Sequence, residues 1–253
     1  MTFMKSLLVA LSTYSVVPVP QFEWNEKNMK YAICFFPAVG ILCGAALHGW
    51  YAFSQWAGVS AVLFAVVAAC LPLLLTGGIH MDGFMDTVDA LASHQSRERK
   101  LEILKDPHIG AFAPIYLCIY VLLNFGLLHE ICQQGNVIVL LPVYVLSRAL
   151  SALCAVNLPN ARETGMLCAY TRDPDRKKAT IAMAILTFLC CAGLIALSWI
   201  PGCVAVTASI LAVLFYRSMA MKQFGGVTGD TSGFFLQICE IAAMAGVWLG
   251  GCL

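Results

Sequence analysis

Charge is scarce in this sequence. Of 253 residues, 15 are Lys or Arg and 14 are Asp or Glu, so charged residues make up 11% of the chain. They make up about a quarter of an ordinary soluble domain, and 60% of this chain is hydrophobic. The composition excludes a soluble globular domain and predicts an all-α, polytopic integral membrane helical bundle in a lipid bilayer. The formal net charge of +1 gives no basis for a nucleic-acid partner.

Cysteine is plentiful, but the patterns that give it a special role are missing. The twelve cysteines are scattered through apolar runs, without a CxxC pair or a Cys/His cluster. We therefore expect reduced thiols that pack as small hydrophobic side chains. A cleavable signal peptide is not expected, because prolines 18 and 20 follow the first apolar stretch where a small-residue cleavage site would stand.

Seven apolar runs are each close to the ~20 residues that a membrane-spanning helix needs. They cover residues 31–53, 57–76, 109–129, 137–157, 179–200, 203–221 and 232–253. The shorter stretch 3–17 is an interfacial helix, a re-entrant arm or an eighth short span. We expect about seven spans plus this N-terminal segment, in one transmembrane catalytic domain over residues 1–253.

Basic residues are missing from alternate connections. The connections after the first, third and fifth runs contain no Lys or Arg, and the other connections hold nearly all of them. The positive-inside rule makes the basic connections cytoplasmic. Nearly all acidic residues and the Gly-rich loops fall on that same side. A transporter usually needs polar groups reachable from both sides, so this distribution favours an enzyme with its active-site loops on the cytoplasmic face.

Three aspartates occur within eight residues directly after the second apolar run. Asp82, Asp86 and Asp89 have i,i+4 and i,i+3 spacing, so one helix face carries all three. Carboxylates this close repel one another unless a cation lies between them, and oxygen ligands suit Mg²⁺. We predict that they bind Mg²⁺ against a diphosphate, and that His80 is a general base or hydrogen-bond donor. A solvated helix start and a structural histidine are the alternatives.

Two more polar segments lie on the predicted cytoplasmic side. Lys105 and Asp106 precede Pro107, which should end a surface helix. Lys105 suits a phosphate, and Asp106 suits a metal ion or a hydroxyl group. Between the last two runs lies a Gly-rich loop whose backbone N–H groups could bind an anion. Its candidate residues are Gly225, Gly226, Thr228 and Asp230.

Two charged residues stand inside apolar runs. Arg148 lies in the fourth run and Glu240 in the last. Charge inside a membrane is costly and is a functional hypothesis by default. Either the two form a structural ion pair, or Arg148 reaches a phosphate and Glu240 orients it. These residues are also the best support for the rival hypothesis of a small transporter.

Together these segments resemble the cobalamin synthase family, the adenosylcobinamide-GDP ribazoletransferases of the bacterial inner membrane. The resemblance rests on Gly-Gly-x-His-x-Asp-Gly-x-x-Asp-Thr-x-Asp at 77–89, Leu-Glu-x-x-Lys-Asp at 101–106 and Gly-Gly-x-Thr-Gly-Asp at 225–230. It covers the whole chain in order and length. Residues 90–93 depart from the family's Gly-rich continuation. A CDP-alcohol phosphotransferase is a weaker match, because Asp86-Thr87 stands where that family has Ala-Arg.

The resemblance implies a phosphotransferase that acts in the last step of cobalamin (vitamin B12) synthesis. The ribose 3′-hydroxyl of α-ribazole, or of its 5′-phosphate, attacks adenosylcobinamide-GDP and releases GMP with the help of Mg²⁺. In this scheme Asp106 or His80 accepts the hydroxyl proton, Lys105 and Arg148 contact phosphate, and the Gly-rich loop closes over the nucleotide or adds a metal ligand. The broad loops also motivate the hypothesis of a homo-oligomer or a complex with other late-pathway enzymes.

Overall fold

Helices form nearly all of the described structure. The computed structural model describes residues 2–20, 31–163, 165, 167–168 and 176–253. The helices are α1 (Thr2–Tyr14), α2 (Phe36–Ala57), α3 (Ala61–Thr76), α4 (Ile79–Ala92), α5 (Arg97–Ile103), α6 (Phe112–Gln133), α7 (Leu140–Asn157), α8 (Arg176–Leu197), α9 (Trp199–Gln223) and α10 (Gly229–Gly251). Short 3₁₀ turns precede α2 and α7. Within these ranges there is no strand, and the all-α prediction is confirmed.

Six helices are long and apolar enough to cross a membrane. They are α2 with its 3₁₀ turn, α6, α7, α8, α9 and α10, and the bent pair α3–α4 makes up to seven. The prediction of a polytopic bundle is therefore confirmed. At 13 residues, α1 is ~20 Å long, shorter than the ~30 Å hydrocarbon core. The predicted break at Pro201 is wrong, because α8 and α9 meet at Ser198 and Pro201 fits the first turn of α9 without losing a hydrogen bond.

The chain turns sharply between α3 and α4. Gly77 and Gly78 have φ values of 63° and 78°, a left-handed conformation that glycine adopts without strain. The two helices consequently differ in direction by 94°. The Val16 N–H donates to the Leu75 carbonyl at 2.8 Å, which ties the end of α1 to this turn. The two glycines thus redirect the chain and bring α1 close to the start of α4.

Loop contacts divide the connections into two groups at opposite ends of the bundle. At one end, Asn160 after α7 forms a parallel bridge with Val227 before α10. At the other end, Ser198 between α8 and α9 donates to the side chain of Asn136 after α6, at 3.3 Å. This division agrees with the sorting of charged and uncharged connections in the sequence.

The backbones of α4 and α10 touch where they cross. A Cβ atom on Gly83 would lie 2.8 Å from the Asp230 carbonyl oxygen, and one on Gly233 would lie 2.9 Å from that of His80. The rings of Phe84 and Phe234 stack beside this contact with centroids 5.6 Å apart. Because no side chain separates the two helices, polar residues of both helices emerge at one place.

The centre of the bundle is α7, which is buried along nearly its whole length. It packs against α2, α8 and α10. All twelve cysteines are free thiols, as the sequence predicted, and Cys43, Cys154 and Cys239 are buried in the apolar core. The core of this chain therefore holds without covalent cross-links.

We predict that Gly83→Ala lowers the thermal unfolding midpoint of the detergent-solubilised protein. The new methyl group meets backbone atoms, so α4 or α10 must shift, at a cost of about 1–3 kcal/mol. Gly126→Ala is the matched control, because a Cβ atom at that position of α6 meets no atom within 4 Å. An unchanged midpoint in Gly83→Ala would contradict the close crossing.

Candidate functional site

Carboxylates from two helices converge at the α4–α10 crossing. Asp82 and Asp86 lie on α4, in the helix that their spacing predicted, and Asp230 lies in the first turn of α10. Asp82 is exposed, whereas Asp86 and Asp230 are half-buried. Asp86 is within electrostatic reach of both other carboxylates and of Arg162. Sequence reasoning had placed Asp230 in a separate loop, and the crossing brings it into the carboxylate group.

Asp89 has a different partner from the one expected. Its carboxylate accepts backbone hydrogen bonds from Gly110, Phe112 and Ala113 at 2.7, 3.1 and 3.0 Å. These N–H groups stand at the start of α6, where the partial positive charge of the helix favours an anion. Both carboxylate oxygens accept bonds from the start of α6, so the structure gives Asp89 a structural role, and the metal-ligand role that its spacing predicted stays a prediction. Asp89 fixes α6 against the end of α4.

Arg162 is the site residue that sequence reasoning missed. Its guanidinium lies 3.4 Å from the Asp230 carboxylate, and it donates to the Leu101 carbonyl at 3.2 Å. The bridge between Asn160 and Val227 holds its segment beside the start of α10. In the sequence Arg162 is one of several basic residues in a loop, and nothing there distinguishes it from the others. No local pattern indicated its position, since the pairing joins segments more than sixty residues apart.

The Gly-rich loop fixes the start of α10. The backbone N–H groups of Gly226, Val227 and Thr228 already donate to oxygens elsewhere in the chain, so these three are not free to bind an anion as predicted. The Thr228 side chain accepts from the Thr231 N–H and caps α10. Gly225 lies against the guanidinium of Arg97. The loop therefore positions Asp230 and two arginines.

Arg148 and Glu240 form a buried ion pair. Their side chains are 1% and 3% exposed, with Nη1 and Oε1 2.6 Å apart. Ser147 donates to the same carboxylate oxygen at 3.0 Å, and Arg148 also donates to the Tyr144 carbonyl at 2.9 Å. The Phe36 ring lies 6.0 Å from the guanidinium. Of the two sequence hypotheses, the geometry fits the structural pair, and it corrects the assignment of Arg148 to a phosphate contact.

Lys105 and Asp106 stand in an exposed turn after α5. Asp106 accepts hydrogen bonds from the His108 backbone N–H at 3.0 Å and from its ring at 2.7 Å. These bonds lower the pKa of the Asp106 carboxyl, which makes it a weaker proton acceptor. Asp106 shares an open depression with Asp86 and Asp89, whereas Lys105 is exposed outside it.

His80 lies beside a cavity of about 220 Å³ that opens at the carboxylates. Asp82 and Asp230 also line this cavity. The ring of His80 packs against those of Tyr14 and Phe36, with centroids 5.8 and 5.3 Å away. It is 5% exposed, and its Nε2 has no hydrogen-bond partner in the described part of the chain. The structure thus places His80 next to the carboxylate group.

The donor chemistry at the crossing fits a hard divalent cation. Asp82, Asp86 and Asp230 offer only oxygen ligands, and Arg162 is the cation beside them. Among the described residues, no three His, Cys, Asp or Glu side chains stand close enough together to hold a metal ion by themselves. Protein ligands that leave coordination positions to water and phosphate are typical of Mg²⁺ sites.

Comparison with known proteins identifies related chains over almost the entire length. Residues 6–248 match the family described as cobalamin-5-phosphate synthase. A protein of Lachnoclostridium phytofermentans named adenosylcobinamide-GDP ribazoletransferase is 39% identical over 243 residues, covering 96% of this chain and 93% of that protein. A protein of the same name from Geobacillus sp. (strain WCH70) is 31% identical, and the match covers 96% of this chain and 94% of that protein. One from Clostridium botulinum (strain Alaska E43 / Type E3) is 29% identical, and the match covers 95% of each chain. No solved structure matches significantly.

We predict that Arg148→Met and Glu240→Gln each lower the thermal unfolding midpoint strongly. Either change leaves the other charge buried without its partner, at a cost of about 3–5 kcal/mol. The double variant removes both charges and should lose much less than the sum of the two single losses. Additive losses in this double-mutant cycle, or single variants as stable as the wild type, would contradict a structural role for the pair.

Proposed function

The chain belongs to the cobalamin-5-phosphate synthase family, and we propose on that premise that it completes cobalamin by joining adenosylcobinamide-GDP to α-ribazole or its 5′-phosphate. The observation that carries the proposal is the convergence of Asp82, Asp86 and Asp230 with Arg162 at the mouth of a cavity. Displacement at a diphosphate depends mainly on positioning and on neutralising charge, and this group of residues suits both.

The bonds made and broken follow from the substrates. A ribose hydroxyl oxygen of ribazole forms a bond to the cobinamide-linked phosphorus, and the bond from that phosphorus to the bridging oxygen breaks. GMP leaves with the bridging oxygen, and the hydroxyl proton goes to a base. The product is adenosylcobalamin or its 5′-phosphate.

Mg²⁺ is part of the proposal, and Asp82, Asp86 and Asp230 would hold it together with phosphate oxygens and water, since no three of the described side chains hold an ion by themselves. When bound, the ion would neutralise diphosphate oxygens as charge builds on the leaving group. Asp230 replaces Asp89 in this set, because the carboxylate of Asp89 is occupied by the start of α6. The like charges on α4 and α10 also need a cation to lie together at low cost.

Other residues supply contacts to the substrates. Arg162 is placed beside Asp230 and can donate to a phosphate oxygen, the role first assigned to Arg148. Lys105 stays a candidate for a phosphate contact, because it is exposed next to Asp106, which lines the depression beside Asp86. His80 and Asp106 are the two candidates for the hydroxyl proton: the Nε2 of His80 has no partner among the described residues, and Asp106 accepts both bonds from His108 on one carboxylate oxygen.

The proposed location is the bacterial cytoplasmic membrane, with the site facing the cytoplasm. The basic connections support this orientation, since they lie at the bundle end that carries Arg162 and the carboxylates. Adenosylcobinamide-GDP is large and highly polar, so a site at the membrane surface spares it from entering the bilayer.

We predict that Asp82→Asn lowers the rate of GMP release from adenosylcobinamide-GDP and α-ribazole at least about a hundredfold at saturating Mg²⁺. Glu130→Gln is the control, because Glu130 is exposed at the far end of the bundle, and it should keep the wild-type rate. Chromatographic detection of GMP provides the measurement. Uptake of substrate into sealed vesicles without release of GMP would instead favour a transporter.

A further inference from the structure

The cavity that opens at the carboxylates has a shape and lining that single out one part of the substrates. It lies between α1, the start of α2, α4, α7 and α10 and has a volume of about 220 Å³. Its apolar and aromatic lining consists of Tyr14, Ile33, Phe36, Ile79, Ala155 and Leu167. Asp82 and Asp230 stand in the same lining, so a molecule in the cavity would have one end at the reacting centre.

Ser151 gives the cavity a polar group that the fold itself does not use. This residue of α7 is 4% exposed and lines the cavity. A buried helical serine usually donates to a carbonyl of its own helix, as Ser54 and Ser209 do here. The Ser151 hydroxyl forms no hydrogen bond to another described residue and is open to the cavity, whereas a fully buried hydroxyl normally has a partner. A ligand atom can supply that partner.

Flat rings suit this cavity. The rings of Tyr14, Phe36 and His80 form a connected aromatic group, with Tyr14 and Phe36 centroids 4.5 Å apart. Aromatic side chains favour stacked or edge-on contacts with another ring. An apolar cavity of about 150 Å³ is large enough for benzene. A volume of about 220 Å³ is therefore of the size that a fused two-ring base needs, and it excludes a corrin ring with its side chains.

Polarity distinguishes two bases that the substrates carry, the guanine of adenosylcobinamide-GDP and the base of the acceptor nucleoside. Guanine carries donors and acceptors along its edge, and each buried group left unpaired costs about 1–3 kcal/mol. At its aromatic end the cavity offers two such groups, the Ser151 hydroxyl and the Nε2 of His80, while Asp82 and Asp230 stand at its mouth. The aromatic base of the acceptor nucleoside has a single free ring nitrogen, and one hydroxyl donor satisfies it.

We propose that this cavity binds the base of the acceptor nucleoside and that Ser151 donates a hydrogen bond to its free ring nitrogen. This inference rests on the proposed function for the identity of the acceptor. With its base against Phe36 and Ala155, the nucleoside has its ribose at the cavity mouth. The reacting hydroxyl then lies beside Asp82 and Asp230, where the diphosphate binds. The cavity consequently selects the acceptor by the size and low polarity of its base.

The test measures binding and turnover separately. Binding of α-ribazole to the purified protein is followed by the ultraviolet fluorescence of its base, and binding of GDP is measured by calorimetry. Ser151→Ala should weaken α-ribazole binding about tenfold, the loss expected for one hydrogen bond, and raise its KM to a similar degree. Ala155→Leu fills the cavity and should abolish α-ribazole binding. Both variants should bind GDP like the wild type.

Ser209→Ala is the matched control, because Ser209 is a buried serine of α9 that donates to the Ala205 carbonyl at 2.8 Å and does not line the cavity. It should bind α-ribazole normally. Thermal midpoints show whether each variant is folded.

Loss of GDP binding in place of α-ribazole binding would assign the cavity to guanine and overturn the proposal. Unchanged α-ribazole binding in a folded Ser151→Ala and Ala155→Leu, or no binding by the wild type, would also overturn it. Binding as predicted without GMP release would refute the proposed function and leave the cavity assignment standing.

Discussion

The contact between the α4 and α10 backbones is the constraint on which the rest of the site depends. Gly83 and Gly233 allow the two helices to cross with no side chain between them, so Asp82, Asp86 and Asp230 emerge together. The sharp turn at Gly77 and Gly78 sets the direction of α4, and the capped start of α10 sets the position of Asp230. A carboxylate group assembled from two helices keeps its geometry only while this contact holds.

The carboxylates of α4 and α10 repel one another at this crossing, and nearby groups reduce the free-energy cost of that repulsion. Like charges repel across the contact, and Arg162 beside Asp230 offsets part of that repulsion. Three N–H bonds at the start of α6 stabilise the charge of Asp89, which still lies within electrostatic reach of Asp86. Deeper in the bundle, Arg148 and Glu240 satisfy each other and join α7 to α10. A bound cation would complete this balance at the site itself.

The sequence was a good guide to local features and a poor guide to contacts between distant segments. Apolar length predicted the spanning helices, and the spacing of Asp82 and Asp86 predicted one helix face. The same spacing could not show that Asp89 points to the start of α6, because that contact depends on how α6 packs. Arg162 and Asp230 are 68 positions apart (230 − 162), and they meet through a bridge between two loops that carries no local signal. The break between α8 and α9 was misplaced because proline is as well tolerated in a first helical turn as in a loop.

The central claim is that Asp230, and not Asp89, completes the cation site with Asp82 and Asp86. The most direct measurement is the Mg²⁺ concentration that gives half-maximal GMP release in Asp230→Asn and in Asp89→Asn, each compared with the wild type. We expect Asp230→Asn to need at least about ten times more Mg²⁺, the usual effect of losing one ligand interaction of about 1.4 kcal/mol. Asp89→Asn should keep the wild-type requirement. The opposite pattern, with a raised Mg²⁺ requirement only in Asp89→Asn, would contradict the account.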